Sequence, residues 1–289
     1  MLYGRGAVDM KGAIAAMLAA VERHLAEAGA ALKGSISFLL TADEEGPAVH
    51  GTRAVVAWMR EHGEVPDHCI LGEPTHPERM GEAIKIGRRG SLNGYLTVRG
   101  VQGHVAYPHR ANNPLIGLIA ALKRIADERL DEGSANFERS NLEITSIDTG
   151  NPTVNVIPAA ANAKFNVRFN DLHTATSLEA RLRGLIAQPL EAAGLTYELA
   201  FESNADSFVT EPGPWLDMLI TASQDITGIA PRLTTDGGTS DARFIKDLCP
   251  VVEYGLVNKT IHAVDECTPV ADLTALTEVY QEFMRRYFA

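Results

Sequence analysis

Residues 35–46 read Ser-Ile-Ser-Phe-Leu-Leu-Thr-Ala-Asp-Glu-Glu-Gly, an apolar run that ends in three consecutive acids. Residues 68–74 repeat the form, with His-Cys-Ile-Leu-Gly running into Glu73-Pro74. A short apolar run bounded by turn residues suits a buried strand, so 35–41 and 68–72 are expected to be strands with carboxylates at their ends. Helical patterns flank them: 11–29, rich in Ala, Leu and Met and closed by Gly29, and 51–62. Strands alternating with helices point to an α/β layer around a largely parallel sheet. In such sheets ligands collect beyond the carboxyl ends of the strands, where both acidic motifs fall.

Near Arg88 the texture changes. Ser91–Val98 alternates like a half-exposed strand, a helix is expected from Pro114 to Asp127, strands at Leu142–Asp148 and Ala161–Asn170, and a helix over 176–193. The order β-α-β-β-α-β suits a separate two-layer unit with helices on one face of an antiparallel sheet. After residue 204 helix-strand alternation returns, with a strand at Val251–Tyr254 and a closing helix at 271–288. The expected organisation is an α/β domain in two parts, 1–86 and 204–289, split by an inserted α+β domain over 87–203.

Bulk properties bound the function. The chain has 289 residues, 45% of them hydrophobic, and a formal net charge of −11, which argues against a nucleic-acid partner. The longest apolar stretch, Ala13–Val21, is too short to cross a membrane, and the first residues lack a signal-peptide layout. Cys69, Cys249 and Cys267 are odd in number and have no C-x-x-C spacing, so a reducing cytoplasm is expected.

Five residues stand out as chemistry. Asp9 sits in Gly-Arg-Gly-Ala-Val-Asp-Met-Lys-Gly, where it can cap a helix or, with glycines packed around it, bridge cations. Glu44 and Glu45 repel each other unless a cation or a proton lies between them; in extended chain one can reach a metal while the other reaches its water. Proline fixes the chain after Glu73. His262 lies in Thr-Ile-His-Ala-Val-Asp-Glu. Carboxylates with an imidazole form a sensible zinc ligand set, although spacing alone does not bring them together. In Ala161–Asn170, residues Ala163, Phe165, Val167 and Phe169 face one side and Lys164, Asn166, Arg168 and Asn170 the other. On pattern alone Arg168 reads as an exposed sheet face, and Arg88 and Arg89 are equally ambiguous.

The motifs GRGAVDMKG, TADEEGPAVHGT, LGEPT, RGVQGHVAYPH, NVIP, GGTSDARFI and TIHAVDE occur in that order over essentially the whole chain. In this the sequence resembles the zinc aminoacylase and carboxypeptidase superfamily. Within it, the runs IGRRGSLNGYLTVRGVQGHVAYPH and GGTSDARFI are most similar to the succinyl-diaminopimelate desuccinylase family. The resemblance implies hydrolysis of N-succinyl-LL-2,6-diaminopimelate by a two-zinc amidohydrolase, with Co2+ able to stand in. Asp9 would bridge the zincs, Glu73 bind the first, Glu45 and His262 the second, and Glu44 act as general base. The insert would make a homodimer and carry His104 into the partner's site to stabilise the oxyanion. Arg88, Tyr107, Asn155, Arg168, Gly238 and Thr239 match substrate-contact positions. A related deacylase such as acetylornithine deacetylase, or an inactive dimerising scaffold, is the alternative.

That family places a His-x-Asp motif ahead of the position of Asp9, and none precedes Asp9 here. His24, His50, His62 and His68 stand in other contexts. The expectation is an α/β zinc-hydrolase domain truncated at its front. It would hold at most one tight zinc, be impaired in activity, and expose apolar surface on 11–29 and 35–41.

Overall fold

The computed structural model describes residues 1–29, 32–46 and 48–289. By contact density the chain divides into unit 1, Met1–Arg88 with Val209–Ala289, and unit 2, Arg89–Phe208.

Unit 1 opens with β1 (Leu2–Tyr3), α1 (Lys11–Ala28), α2 (Thr52–His62), β2 (Cys69–Leu71), β3 (Ala83–Lys85) and β4 (Gly87–Arg88). Unit 2 contributes β5 (Gly90–Arg99), β6 (Gly103–His104), α3 (Pro114–Ala126), β7 (Asn141–Asp148), β8 (Val156–Ile157), β9 (Ala160–Phe169), α4 (Ala175–Ala192) and β10 (Thr196–Ala205). After β11 (Phe208–Val209) come α5 (Pro214–Thr227), β12 (Arg232–Thr234), α6 (Ala242–Ile245), β13 (Val251–Glu253), β14 (Cys267–Thr268) and α7 (Val270–Tyr287).

The main sheet of unit 1 has the order β12-β3-β13-β2. Its outer pairs are parallel, and its central contact is an antiparallel bridge, Glu253 opposite Lys85. Helices α1 and α5 pack on α7, and the shared core holds Val8, Ile84, Leu219, Val252, Tyr254, Leu276 and Phe283. Tyr254 lies wholly inside; its hydroxyl meets Ser223 Oγ at 2.8 Å, which removes the cost of burying it.

The run at 35–41 is not a strand. It is irregular, with Phe38 38% and Leu40 58% exposed, and β2 is the outer strand of the sheet. A strand exists through the hydrogen bonds of a neighbour, and no described strand lies beside this run. On α1, Leu18 and Leu25 are exposed as well.

Unit 2 is an antiparallel sheet, β10-β5-β9-β7, with α3 and α4 packed against each other and over it. On β9 the alternation holds: Ala163, Phe165, Val167 and Phe169 are buried, while Lys164 is exposed and Asn166 and Arg168 are half-buried. Gly90 and Gly94 stand opposite Phe169 and Phe165, where a Cβ would come within 2.2 and 2.1 Å of the rings, so the aromatics lie flat over bare backbone. Asn170 departs from the pattern. Expected on the outer face, it is buried and donates to Asp131 Oδ1 at 2.7 Å and Glu138 O at 3.2 Å.

The chain leaves and re-enters unit 1 side by side, with Thr210 N donating to Ile86 O at 2.6 Å. Within unit 2, Ser91 pairs with Ala205. The return falls at Val209 rather than at 204 because β10 runs on to Ala205. No helix among the described residues is long and apolar enough to cross a membrane.

Candidate metal centre

Asp9 ends a tight loop ahead of α1. Gly6 takes φ +84 there and lies against the Lys11 stem, a conformation that suits glycine. The loop is fastened by Glu266, whose carboxylate accepts from Gly6 N at 2.8 Å, Val8 N at 2.8 Å and Asp9 N at 2.9 Å. Burial alone would raise the Glu266 pKa, but these N–H bonds outweigh it and hold the carboxyl below its usual range. The acidic turn is set by Asp43, whose Oδ2 accepts from Val49 N at 2.8 Å and His50 N at 3.1 Å. His262 adopts φ +57, a left-handed conformation that a non-glycine residue keeps only when its surroundings hold it there.

Three of the five expected residues converge. Asp9, Glu45 and His262 each place one ligand atom within 4.8 Å of the others. His262 Nε2 lies 2.8 Å from Glu45 Oε1 and 3.4 Å from Asp9 Oδ2. Glu44 and Glu73 stand close enough to be felt electrostatically without joining that triad. Burial, then Asp241 and Glu45, push Glu44 up to about 7; burial, then Glu253 and Asp9, push Glu73 up to about 9. Asp9 is raised too, by burial first and Glu45 second, with His262 pulling the other way. Carboxylates held this close favour a cation between them. Two carboxylate oxygens and an imidazole nitrogen are donors that zinc accepts, three being the usual number at an open catalytic site.

Arg88 does not stand free as a carboxylate anchor. Its guanidinium forks onto Glu253, with Nε 2.9 Å from Oε1 and Nη2 on Oε2, while Nη1 donates to Asp236 O at 3.1 Å. Arg88 and Glu253 are both buried, so the Nε/Nη2 side of the guanidinium is taken up by a carboxylate of the chain itself. Lys85 Nζ joins in, bonding Asp236 O at 2.9 Å and Oδ1 at 2.7 Å. Together these groups clamp the base of the loop that carries Gly238 and Thr239.

The remaining expected residues lie in unit 2. His104 on β6 accepts from Ala106 N through Nδ1 at 3.1 Å and has Tyr107 as ring neighbour at 5.8 Å; both are exposed. Asn155 accepts from Val105 N at 3.1 Å, so His104, Tyr107 and Asn155 share the β6–β8 corner. Arg168 sits elsewhere, on the outer sheet face between Ser91 and Asn141. Sequence reasoning missed Glu266, Glu253 and Asp241. Asp241 is buried with neither oxygen hydrogen-bonded and with Arg243 Nη2 at 3.8 Å. A buried acid is the least expected burial, and no spacing announces one.

The Peptidase family M20/M25/M40 model matches residues 1–286, and the chain belongs to that family of metal-dependent hydrolases. Among curated relatives it is 55% identical over 290 residues to a succinyl-diaminopimelate desuccinylase of Xanthobacter autotrophicus, covering all of this chain and 75% of that protein. It is 57% identical over 292 residues to one of Rhodopseudomonas palustris, covering all of this chain and 74% of that protein. Solved structures share the fold at lower identity. A Staphylococcus aureus tripeptidase superposes with TM-score 0.80 at 18% identity, over 97% of this chain and 71% of that one. An M20 family metallo-carboxypeptidase of Sulfolobus solfataricus gives 0.78 at 18%, over 99% and 77%.

Proposed function

We propose that this chain hydrolyses the amide bond of N-succinyl-LL-2,6-diaminopimelate, releasing succinate and LL-2,6-diaminopimelate. The observation that carries the reading is the meeting of Asp9, Glu45 and His262, from three distant stretches of sequence, in one cluster of metal-donor atoms with Glu44 beside it. The substrate assignment rests on the relatives that match the full chain.

Asp9, Glu45 and His262 would hold one zinc, or cobalt in its place, and Asp9 with Glu73 a second. When bound, the ion polarises the amide carbonyl and makes water a better nucleophile at neutral pH. Glu44, adjacent in sequence to the ligand Glu45, takes one proton from the attacking water. The water oxygen first bonds to the carbonyl carbon, leaving the negative charge on the carbonyl oxygen; the C–N bond then breaks as the carbonyl re-forms, with Glu44 passing its proton to the leaving amine. His104 serves the oxyanion across a homodimer formed through unit 2, with Tyr107, Asn155, Arg168, Gly238 and Thr239 contacting substrate. Arg88 acts through the loop it clamps. The three cysteines are free, which suits a cytoplasmic enzyme.

The test compares hydrolysis of N-succinyl-LL-2,6-diaminopimelate and N-acetylornithine by the purified chain, with zinc measured by elemental analysis. The expected result is preference for the succinylated substrate, loss of turnover with a chelator, and one tightly held zinc per chain in the three-donor cluster. Preference for N-acetylornithine would make it a related deacylase. A folded, zinc-loaded chain with no turnover on either would make it a non-catalytic scaffold.

A further inference from the structure

Asp9 and His262 lie far apart in sequence, yet one side chain spans the segments that carry them. Glu266 follows His262 by four residues and is 2% exposed. Its two carboxylate oxygens take three backbone N–H groups of the Asp9 loop, including that of Asp9 itself. Its main-chain carbonyl takes a fourth, from Gly4 N at 3.0 Å. On the His262 side the segment is closed on itself: Thr260 Oγ1 donates to Cys267 O at 2.8 Å and accepts from Cys267 N at 3.1 Å. Just beyond, β14 pairs with β1, Tyr3 opposite Cys267 and Leu2 opposite Thr268.

We propose that Glu266 is a positioning residue for the metal centre, fixing the Asp9 loop against the His262 segment so that the two ligands stand at coordinating distance. The inference rests on the reading of Asp9, Glu45 and His262 as metal ligands. The alternative is that Glu266 only satisfies buried N–H groups and so contributes to stability alone. Two features favour positioning. The N–H groups it takes belong to the turn that aims Asp9, and Glu266 lies on the short closed segment that holds His262 in its left-handed conformation. A carboxylate with two oxygens can take all three donors, whereas a glutamine offers one oxygen and turns its NH2 toward at least one N–H.

The test is zinc affinity, titrated with the metal alone on the purified chain, for Glu266→Gln and Glu266→Ala. Val279→Ala, in the core on α7 and part of neither loop, serves as a control for general destabilisation. Groups that orient ligands from behind cost about 10–100-fold in metal affinity when removed. The expected result is a loss in that range for Glu266→Ala and a smaller one for the nearly isosteric Glu266→Gln. The visible spectrum of the cobalt-loaded Glu266→Gln protein should also be altered, while Val279→Ala keeps wild-type affinity and spectrum. Wild-type affinity and spectrum in folded Glu266→Gln would overturn the proposal, as would an equal loss of affinity in Val279→Ala. Wild-type protein that takes up no zinc would instead overturn the ligand assignment beneath it. Zinc uptake without hydrolysis would overturn the substrate reading and leave the role of Glu266 standing.

Discussion

At the scale of single residues, neighbouring acids are given opposite tasks by their surroundings. Glu45 is exposed and bonded to His262, while Glu44 is desolvated and pushed up to about 7, a range suited to moving a proton. Glu44→Gln is therefore expected to keep zinc and lose about 10²–10⁴-fold in turnover. Glu45→Gln should weaken zinc binding. Elemental analysis beside kinetics checks both, and loss of the metal in Glu44→Gln would reverse the roles. Arg88 teaches a different lesson. On pattern it reads as ambiguous between an exposed sheet face and a substrate contact, and only the fold brings Glu253 to it. Glu253→Gln would leave a buried guanidinium without its countercharge, a change that costs about 3–5 kcal/mol. Chemical denaturation should register it, with little change in zinc affinity.

Among the elements, those that carry their own periodicity were legible. Strand β9 declares its two faces, and Asp9, Glu45 and His262 could be named because each lies in a motif with the right donor chemistry. The run at 35–41 failed because strand formation depends on a partner that apolar composition does not specify. Asn170 failed because its side chain answers to Asp131, which precedes it by dozens of residues. That knot is itself testable. Asp131 accepts from Gly133 N at 2.7 Å, Asn170 Nδ2 at 2.7 Å and His173 Nε2 at 3.0 Å. Burial opposes its ionisation, but hydrogen bonds from Ser140, Gly133 and Asn170 prevail and hold its pKa at about 2, below the usual 3.8. A depressed carboxylate stabilises the fold above its unfolded pKa, and the benefit is lost as pH falls from there through the folded value. The difference is worth about 2 kcal/mol. Asp131→Asn should lower the stability of unit 2 at neutral pH by about that amount and flatten its decline between about pH 4 and 2. Hydrogen exchange on β7 and β9 would read it; an unchanged acid profile would mean that the knot contributes nothing net.

On the scale of the whole molecule, the texture of the sequence changes near Arg88, because a helix-covered antiparallel sheet and a strand-helix alternation have different periods, and the chain divides into units between Arg88 and Arg89. Exposed apolar side chains on unit 2 are a separate matter from its periodicity. Helix α3 exposes Ile116 (67%) and Ile119 (58%), and the edge strand β7 exposes Ile147 (56%). Large apolar groups on an unpaired edge and its flanking helix favour association. The chain is expected to run as a dimer in light scattering, and Ile147→Lys combined with Ile116→Glu to run as a monomer with unit 2 still folded. A doubly substituted dimer would place the interface elsewhere.

The neck between Ile86 and Thr210 has a consequence for how the chain folds. Seen from unit 1, residues 89–208 form one long loop closed at a backbone hydrogen bond. Holding the ends of a disordered loop of that length together costs about 4 kcal/mol in chain entropy. A folded unit 2 already holds Ser91 beside Ala205 and so removes most of that cost before unit 1 assembles. The order of events should follow. A mutation that unfolds unit 2 slows the folding of unit 1 without touching a residue of it. Splicing 86 to 210 through a short turn, which makes the neck local, abolishes that dependence.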